Sequence, residues 1–323
     1  GGVVSTAAPE LEKLQGKHPI IKELLRHREL AKLNSTYISP LPGLTDKNDR
    51  IHTEFNQLGA ATGRMSSSNP NMQNIPVRGE WGVKIRKGFI AEKGFQFVAF
   101  DYSQMELRLA AHIADDKKMK EYFSLGEDIH KMTAAEVFGI PAEEVTKDMR
   151  FRAKALNFGV LYGMGASGFA RSAGISHEEA QGFIDNYFTR FPAIGEYIER
   201  TIESVRTIGY AETLLGRKRY IPDINSSHPG LRAQAERMAI NHPIQGTEAD
   251  IIKMAMVEIS SQLSVVSCQL LLQIHDELLF EIADDKIQVS SGKIKGIMEN
   301  VYKLTVPLQV DVSTGPSWGE LKK

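Results

Sequence analysis

Two apolar runs of strand length, Gln269–Ile274 and Leu278–Ile282, flank the tripeptide His275-Asp276-Glu277, and no other feature limits the possible folds so tightly. Short runs of Leu, Ile and Phe on either side of a polar break read as a buried hairpin with carboxylates at its turn. A third run, Phe95-Gln-Phe-Val-Ala-Phe100, has the same strand character and ends at Asp101. If these runs share a sheet, two aspartates from distant segments meet at neighbouring strand ends. Ser103-Gln-Met-Glu106 then has the form of a capping box that opens a helix.

The remaining patterns surround this hairpin with helices. Ile20, Ile21, Leu24, Leu25, Leu30 and Leu33 recur at helical spacing until Ser39-Pro-Leu-Pro-Gly43 stops them. Residues 50–76, broken by Gly59, Gly63, Pro70 and Pro76, read as short strands and polar loops. From 103 to 209 the pattern is helical, interrupted at Gly126, Gly139-Ile-Pro141, Gly163 to Gly168 and Phe191-Pro192. Tyr210 to Ile221 reads as a hairpin, 231–263 as a helix, 285–303 as a final helix and Leu308 to Val312 as a closing strand. The fold class expected is α+β, with an antiparallel sheet carrying a large helical insertion.

Composition narrows the chemistry. The 323 residues, 42% of them hydrophobic, can fill a sizeable core, yet no apolar run approaches the length of a membrane span and the first residues do not resemble a signal peptide. A cytoplasmic protein is expected. The single cysteine, Cys268, excludes an internal disulfide and is too few for a cysteine-based zinc site, which makes hard oxygen ligands the better expectation for a metal. A net charge of −1 is unusual for a nucleic-acid binder, but basic clusters at Lys84-Ile85-Arg86-Lys87, Arg150 to Lys154 and Arg217-Lys218-Arg219 stand apart from acidic pairs at 115–116 and 284–285. Each cluster is either part of one basic face or an ordinary solvated surface.

Phosphoryl transfer needs little covalent help from a protein; it needs divalent cations, and one or two carboxylates with substrate phosphates and water suffice to hold Mg²⁺. Asp101 and Asp276 suit that task. Equally, Asp101 could cap the following helix and Asp276 could be a turn aspartate. Between them, Arg150, Lys154, Phe158 and Tyr162 fall four apart, a helical stripe with steps of about 6 Å. The cations lie toward the helix start, where the dipole favours anions, and the rings lie toward Gly163, so a nucleotide could lie lengthwise with its triphosphate on the cations. An amphipathic helix with the rings in the core is the plainer reading.

Asp101-Tyr-Ser-Gln-Met-Glu-Leu-Arg108, Arg150-x3-Lys154-x3-Phe158-x3-Tyr162-Gly163 and Gln273-Ile-His-Asp-Glu277, in this order and separation, resemble the three polymerase motifs of the bacterial DNA polymerase I family, family A. Thr62-Gly-Arg-Met-Ser-Ser-Ser68, Asn71-x-Gln73-Asn74-Ile-Pro-Val-Arg78, Asp128-Ile-His130 and Arg237-x3-Asn241-x3-Gln245-Gly246 look like the same family, so the resemblance runs from about residue 5 to the C-terminus. It implies a right-hand polymerase fold: an antiparallel palm sheet, mostly helical fingers and a thumb remnant. The divisions expected are 1–45 for the thumb remnant and lead-in helix, 46–116 and 229–323 for the two parts of the palm, and 117–228 for the fingers.

The resemblance also assigns roles. Asp101, the Tyr102 carbonyl, Asp276 and Glu277 would hold two Mg²⁺ ions, for which Mn²⁺ could substitute. Lys154 joins the two aspartates as catalytic. Gln104, Glu106, His130, Arg150, Lys154, Phe158 and Tyr162 would bind the nucleotide, with Glu106 the gate that excludes a ribose 2′-hydroxyl. Arg64, Gln73, Asn74, Arg78, Arg237, Asn241, Gln245 and His275 would line primer and template, where minor-groove contacts read the bases with little sequence preference.

The activity implied is DNA-templated DNA synthesis by a monomer acting in replication or repair, with dNTPs and primer-template DNA as its partners. Members of the family usually carry a full thumb and an exonuclease-like domain before this region, so proofreading is not expected here. Phe151 stands where some relatives have a second arginine. The rival readings are a polymerase that makes RNA or copies RNA templates, and a non-catalytic primer-template binding module; Asp101, Asp276 and Lys154 together speak against the last.

Overall fold

In the computed structural model, which describes residues 5–77, 79–263 and 267–321, the three apolar runs do form one sheet. Strands β1 (Phe95–Tyr102), β2 (Cys268–Ile274), β3 (Glu277–Ala283) and β4 (Val310–Gly315) stand in the order β2-β3-β1-β4, antiparallel throughout. β1 is central and places Asp101 opposite Glu277 on one side and Asp311 on the other. Val98, Phe100 and Tyr102 of β1 and Leu278, Phe280 and Ile282 of β3 enter the main core, where the Phe100 and Phe280 rings meet edge to face at 5.5 Å. Phe97 and Ala99, pointing to the opposite face, are buried as well. Burial on both faces is why these strands read as unbroken apolar runs.

The helical stretch resolves into α1 (Met105–Ile113), α2 (Ile129–Phe138), α3 (Lys147–Leu161) and four further helices, Lys117–Ser124, Ala166–Ala173, His177–Arg190 and Pro192–Ile208. Breaks fall near Gly126, Gly139 to Pro141, Gly163 to Gly165 and Phe191-Pro192 as expected, while two more, at Ala114 to Asp116 and at Gly174 to Ser176, were not anticipated. A hairpin of Tyr210–Glu212 and Lys218–Tyr220 precedes α4 (Pro229–Gln262), which continues through Pro243, and α5 (Ile287–Asn300) packs Ile294 and Met298 into the core. Among the described residues no helix is long and apolar enough to cross a membrane.

These elements belong to one compact unit, residues 56–66, 91–316 and 320–323. A second unit comprises residues 1–55, 67–90 and 317–319. It contains the expected lead-in helix, Pro19–Leu33, whose N-cap is His18. Arg86 braces this unit from within, donating to the Ile75 and Pro76 carbonyls while its guanidinium lies 4.1 Å from the centre of the Trp318 ring.

Two local expectations need correction. β1 runs one residue past Asp101, to Tyr102, so the aspartate is the strand's penultimate residue and not its last. The capping box does not form: α1 starts at Met105 with Gln104 as N-cap and no side-chain capping bond. That one-residue shift puts Glu106 at the second helical position, too early to reach back to the cap, and Ser103 is fixed instead by backbone pairing to the Gln309 carbonyl at 2.8 Å and by Arg108 Nε on its own carbonyl at 2.9 Å.

Candidate active site

The catalytic aspartates expected from the sequence are brought together by strand pairing. The Tyr102 N–H donates to the Asp276 carbonyl at 3.2 Å, which ties the β2–β3 turn to the end of β1. Burial, reinforced first by the charge of Asp101 and then by Glu106 and Glu277, pushes the Asp276 carboxyl up to about 7. Such a shift marks a half-buried site with more negative charge than its surroundings neutralise. A divalent cation with hard oxygen ligands fits that excess, and two side chains are enough for one that keeps water or phosphate as its remaining ligands. The described residues gather no group of three or more metal-ligating side chains. Glu277, opposite Asp101 in register, adds charge beside the aspartates. Tyr102 turns its side chain into the core, where its hydroxyl donates to the Met298 carbonyl at 2.7 Å; only its own carbonyl is left for a metal.

Both turns that carry the aspartates pass through left-handed backbone at a non-glycine residue. Gln104 has φ 53° and His275 has φ 56°. The side chain of Gln273 donates to the His275 carbonyl at 2.5 Å, and Arg108 reaches across from α1 to Pro307 O and Gln309 Oε1, both at 2.6 Å. The acidic end of the sheet is thus held by polar side chains aimed at two backbone carbonyls and the Gln309 amide oxygen.

On α3, Thr146 caps the helix start by accepting from Met149 N at 3.2 Å. Arg150, Lys154, Phe158 and Tyr162 follow in one stripe, and the Phe158 and Tyr162 rings stack at 6.5 Å, 16° from parallel. The stripe is not packed away: Lys154 is exposed and Phe158 and Tyr162 half-buried. Gly163 follows the helix end with φ 65° and lies under the stem of Arg237.

Asp128 caps α2 through the N–H groups of His130 and Lys131 and receives Arg150 Nε at 2.6 Å on its other oxygen, so Arg150 is engaged in an ion pair in this state. His130 is buried; burial, opposed by Asp128 but aided by the Arg150 and Lys154 cations, lowers it to about 4. Its Nδ1 accepts from Asn157 Nδ2 at 3.1 Å, which leaves the proton of the neutral ring on Nε2 as a donor. Asn157, completely buried between Lys154 and Phe158 in sequence, was not anticipated; a polar residue on the inner face of the helix was the available signal.

Glu106 sits between Arg64 and Tyr162. Its Oε1 accepts from Arg64 Nη2 at 2.7 Å and its Oε2 from the Tyr162 hydroxyl. Arg64 Nη2 also pairs with Glu248 of α4, a buried acid that the sequence reading overlooked. Burial works against the Arg64 charge, but the two carboxylates outweigh it and its pKa is raised; burial likewise raises that of Glu248. Gln245 hydrogen-bonds the Tyr162 side chain. Along α4, Arg237 is exposed while Asn241 and Gln245 are half-buried, and the Asn241 Oδ1 is buried with no hydrogen-bond partner.

Gln73 and Asn74 belong to the other unit. There the Asn74 carbonyl accepts from the Tyr37 hydroxyl at 2.6 Å and the Gln73 N–H donates to Asn71 Oδ1 at 3.1 Å. Arg78 lies outside the described residues. The sequence stripe on α3 and the aspartate pair are therefore both present as structure, with Glu106, Arg64 and Tyr162 linked beside them.

The sequence profile of DNA polymerase family A matches residues 1–320. The chain is 50% identical over 323 residues to a thermostable DNA polymerase I of Thermus filiformis, covering 100% of this chain and 39% of that protein. It is 51% identical over 322 residues to DNA polymerase I of Deinococcus radiodurans, covering 99% of this chain and 34% of that one. It thus spans little more than a third of these relatives. The POL domain of Pol1 from M. smegmatis, solved in complex with DNA primer-template and dNTP, superimposes with a TM-score of 0.93 at 41% identity, over 98% of this chain and 57% of that one. The fold is accordingly the α+β polymerase-domain fold, and on sequence and structure alike the chain belongs to DNA polymerase family A.

Proposed function

We propose that this chain carries out template-directed DNA synthesis, adding deoxynucleotides to a primer 3′-OH. The observation that carries the reading is the pairing of Asp101 and Asp276 at adjoining ends of β1 and the β2–β3 turn, where burial and the neighbouring carboxylates push the Asp276 carboxyl up to about 7. The relatives' names and the primer-template and dNTP in the superimposed structure support the same reaction. To this reading belongs the division into residues 46–116 and 229–323 as palm, 117–228 as fingers and 1–45 as thumb remnant.

In the reaction the primer 3′-oxygen attacks the α-phosphorus of a dNTP; the new P–O bond forms as the bond to pyrophosphate breaks, and the 3′-OH proton leaves to solvent. Two Mg²⁺ ions, or Mn²⁺, held by Asp101, Asp276, the Tyr102 carbonyl and Glu277, would lower the pKa of the attacking hydroxyl and neutralise the phosphates. Lys154 and Arg150 hold the triphosphate and the departing pyrophosphate, and His130 donates from Nε2 to a phosphate oxygen. Arg150 must first exchange Asp128 for phosphate. Phe158 packs on the sugar and base, Tyr162 lies at the templating position, and Gln104 flanks the nucleotide. Glu106 occupies the space a 2′-hydroxyl would need. Arg64, Gln73, Asn74, Arg78, Arg237, Asn241, Gln245 and His275 line the primer-template.

A primer-extension gel tests this with primed DNA and primed RNA templates, dNTPs or NTPs, and Mg²⁺ or EDTA. Wild-type chain should extend on DNA with dNTPs and Mg²⁺, while Asp101→Ala and Asp276→Ala should give no product yet retain the wild-type circular dichroism spectrum. Undiminished extension by Asp276→Ala would falsify the assignment of the metal site.

A further inference from the structure

Glu248 is a charged residue on the inner face of α4, 2% exposed, and it has no place in the mechanism above. Its carboxylate meets the same nitrogen of Arg64, Nη2, that donates to Glu106. Arg64 Nε is buried without a hydrogen-bond partner, so the shared Nη2 is what orients that guanidinium among the described contacts. One turn earlier on the same face of α4, Gln245 hydrogen-bonds Tyr162, whose hydroxyl donates to the other oxygen of Glu106. Both oxygens of Glu106 are therefore engaged, and both of the groups engaging them are held in turn by α4.

We propose that Glu248 is a positioning residue for sugar selection: by gripping Arg64 from the buried side, it fixes the Glu106 carboxylate where a ribose 2′-hydroxyl would have to lie. This rests on the reading of Glu106 as the gate. A carboxylate anchored at one oxygen only could swing aside for the extra hydroxyl; anchored at both, it cannot without breaking a charge-assisted hydrogen bond. The gate is thus a four-residue arrangement, Glu248–Arg64–Glu106–Tyr162, and its stiffness is set by a residue that touches neither nucleotide nor metal.

Single-nucleotide insertion with a dNTP and the matching rNTP tests it, measuring kcat and KM for each. Glu248→Gln, which keeps shape and loses charge, should lower the dNTP-over-rNTP ratio of kcat/KM by roughly tenfold, carried mainly by a lower KM for the ribonucleotide. Glu248→Asp should recover part of the ratio. In a Glu106→Ala background, Glu248→Gln should add less than about twofold, since residues acting through one group do not add. If Glu248→Gln does not fold, as thermal melting would reveal, Arg64→Met cuts the same link from the other side and should lower the ratio equally.

Equal slowing of both sugars with the ratio intact would make Glu248 a structural ion pair and overturn the proposal. So would an undiminished effect in the Glu106→Ala background. If Glu106→Ala leaves the ratio intact, the gate and this proposal fail together. If Glu106→Ala collapses the ratio while Glu248→Gln keeps it, this proposal fails and the gate stands.

Discussion

Replacing Asp276 by Asn should stabilise the metal-free protein while destroying its activity, and the size of the gain follows from the charge around the residue. An unfolded aspartate titrates near 3.8, whereas burial, Asp101 and two glutamates hold Asp276 near 7. The folded state therefore binds the proton more tightly than the unfolded state. This residue's contribution is most favourable below about pH 4, declines between about pH 4 and 7, and carries its whole penalty above 7. A shift of about three units corresponds to at most about 4 kcal/mol, and the water reaching a half-buried carboxylate reduces this to roughly 2 kcal/mol. Asn keeps the shape and removes the charge.

In EDTA at pH 8, Asp276→Asn should raise the melting temperature by about 3 °C. At pH 4.5, where Asp276 is protonated in the fold, the two proteins should melt close together. Saturating Mg²⁺ at pH 8 should narrow or reverse the gap, because the cation stabilises only the protein that can hold it. Differential scanning fluorimetry across these conditions is sufficient. Identical melting at pH 8 in EDTA, or a gain that is larger at pH 4.5, would refute the account of an electrostatically crowded site.

Other expectations follow from geometry already described. His130, lowered to about 4, should remain neutral across the working pH range, and its cost should enter as pH falls from about 6.5 toward 4; an NMR titration showing an ordinary imidazole pKa would remove it as an Nε2 donor. Gly163→Ala should cost about 1–2 kcal/mol, from a φ of 65° and a new methyl 2.8 Å from Arg237 Cγ, read as a lower melting temperature together with weaker primer-template binding. Thr146→Ala should lose the cap of α3 and about 1 kcal/mol, measured by urea unfolding; an unchanged midpoint would show that packing alone fixes the helix start.

The strands were legible as unbroken apolar runs, and the α3 stripe because its residues recur at the helical period. Val98, Phe100, Leu278 and Phe280 announce a doubly covered sheet, and Arg150 to Tyr162 announce one helix face. The capping box failed because the pattern Ser-x-x-Glu does not encode the left-handed residue that delays the helix by one position. Glu248 was missed for a different reason. Its meaning depends on Arg64, 184 residues away, and no local period reports such a pairing. Asn157 likewise looks like one more polar residue on a mixed helix until His130 is placed against it.

The left-handed turns at Gln104 and His275 also bear on engineering. Glycine adopts that backbone freely, and substitution there would relieve about 1 kcal/mol at each turn. A screen that rewarded heat resistance alone would drift toward glycine at both positions and loosen the two corners from which Asp101 and Asp276 are presented. Hardening this chain is better begun at the surface of the helical insertion, leaving both corners as they are.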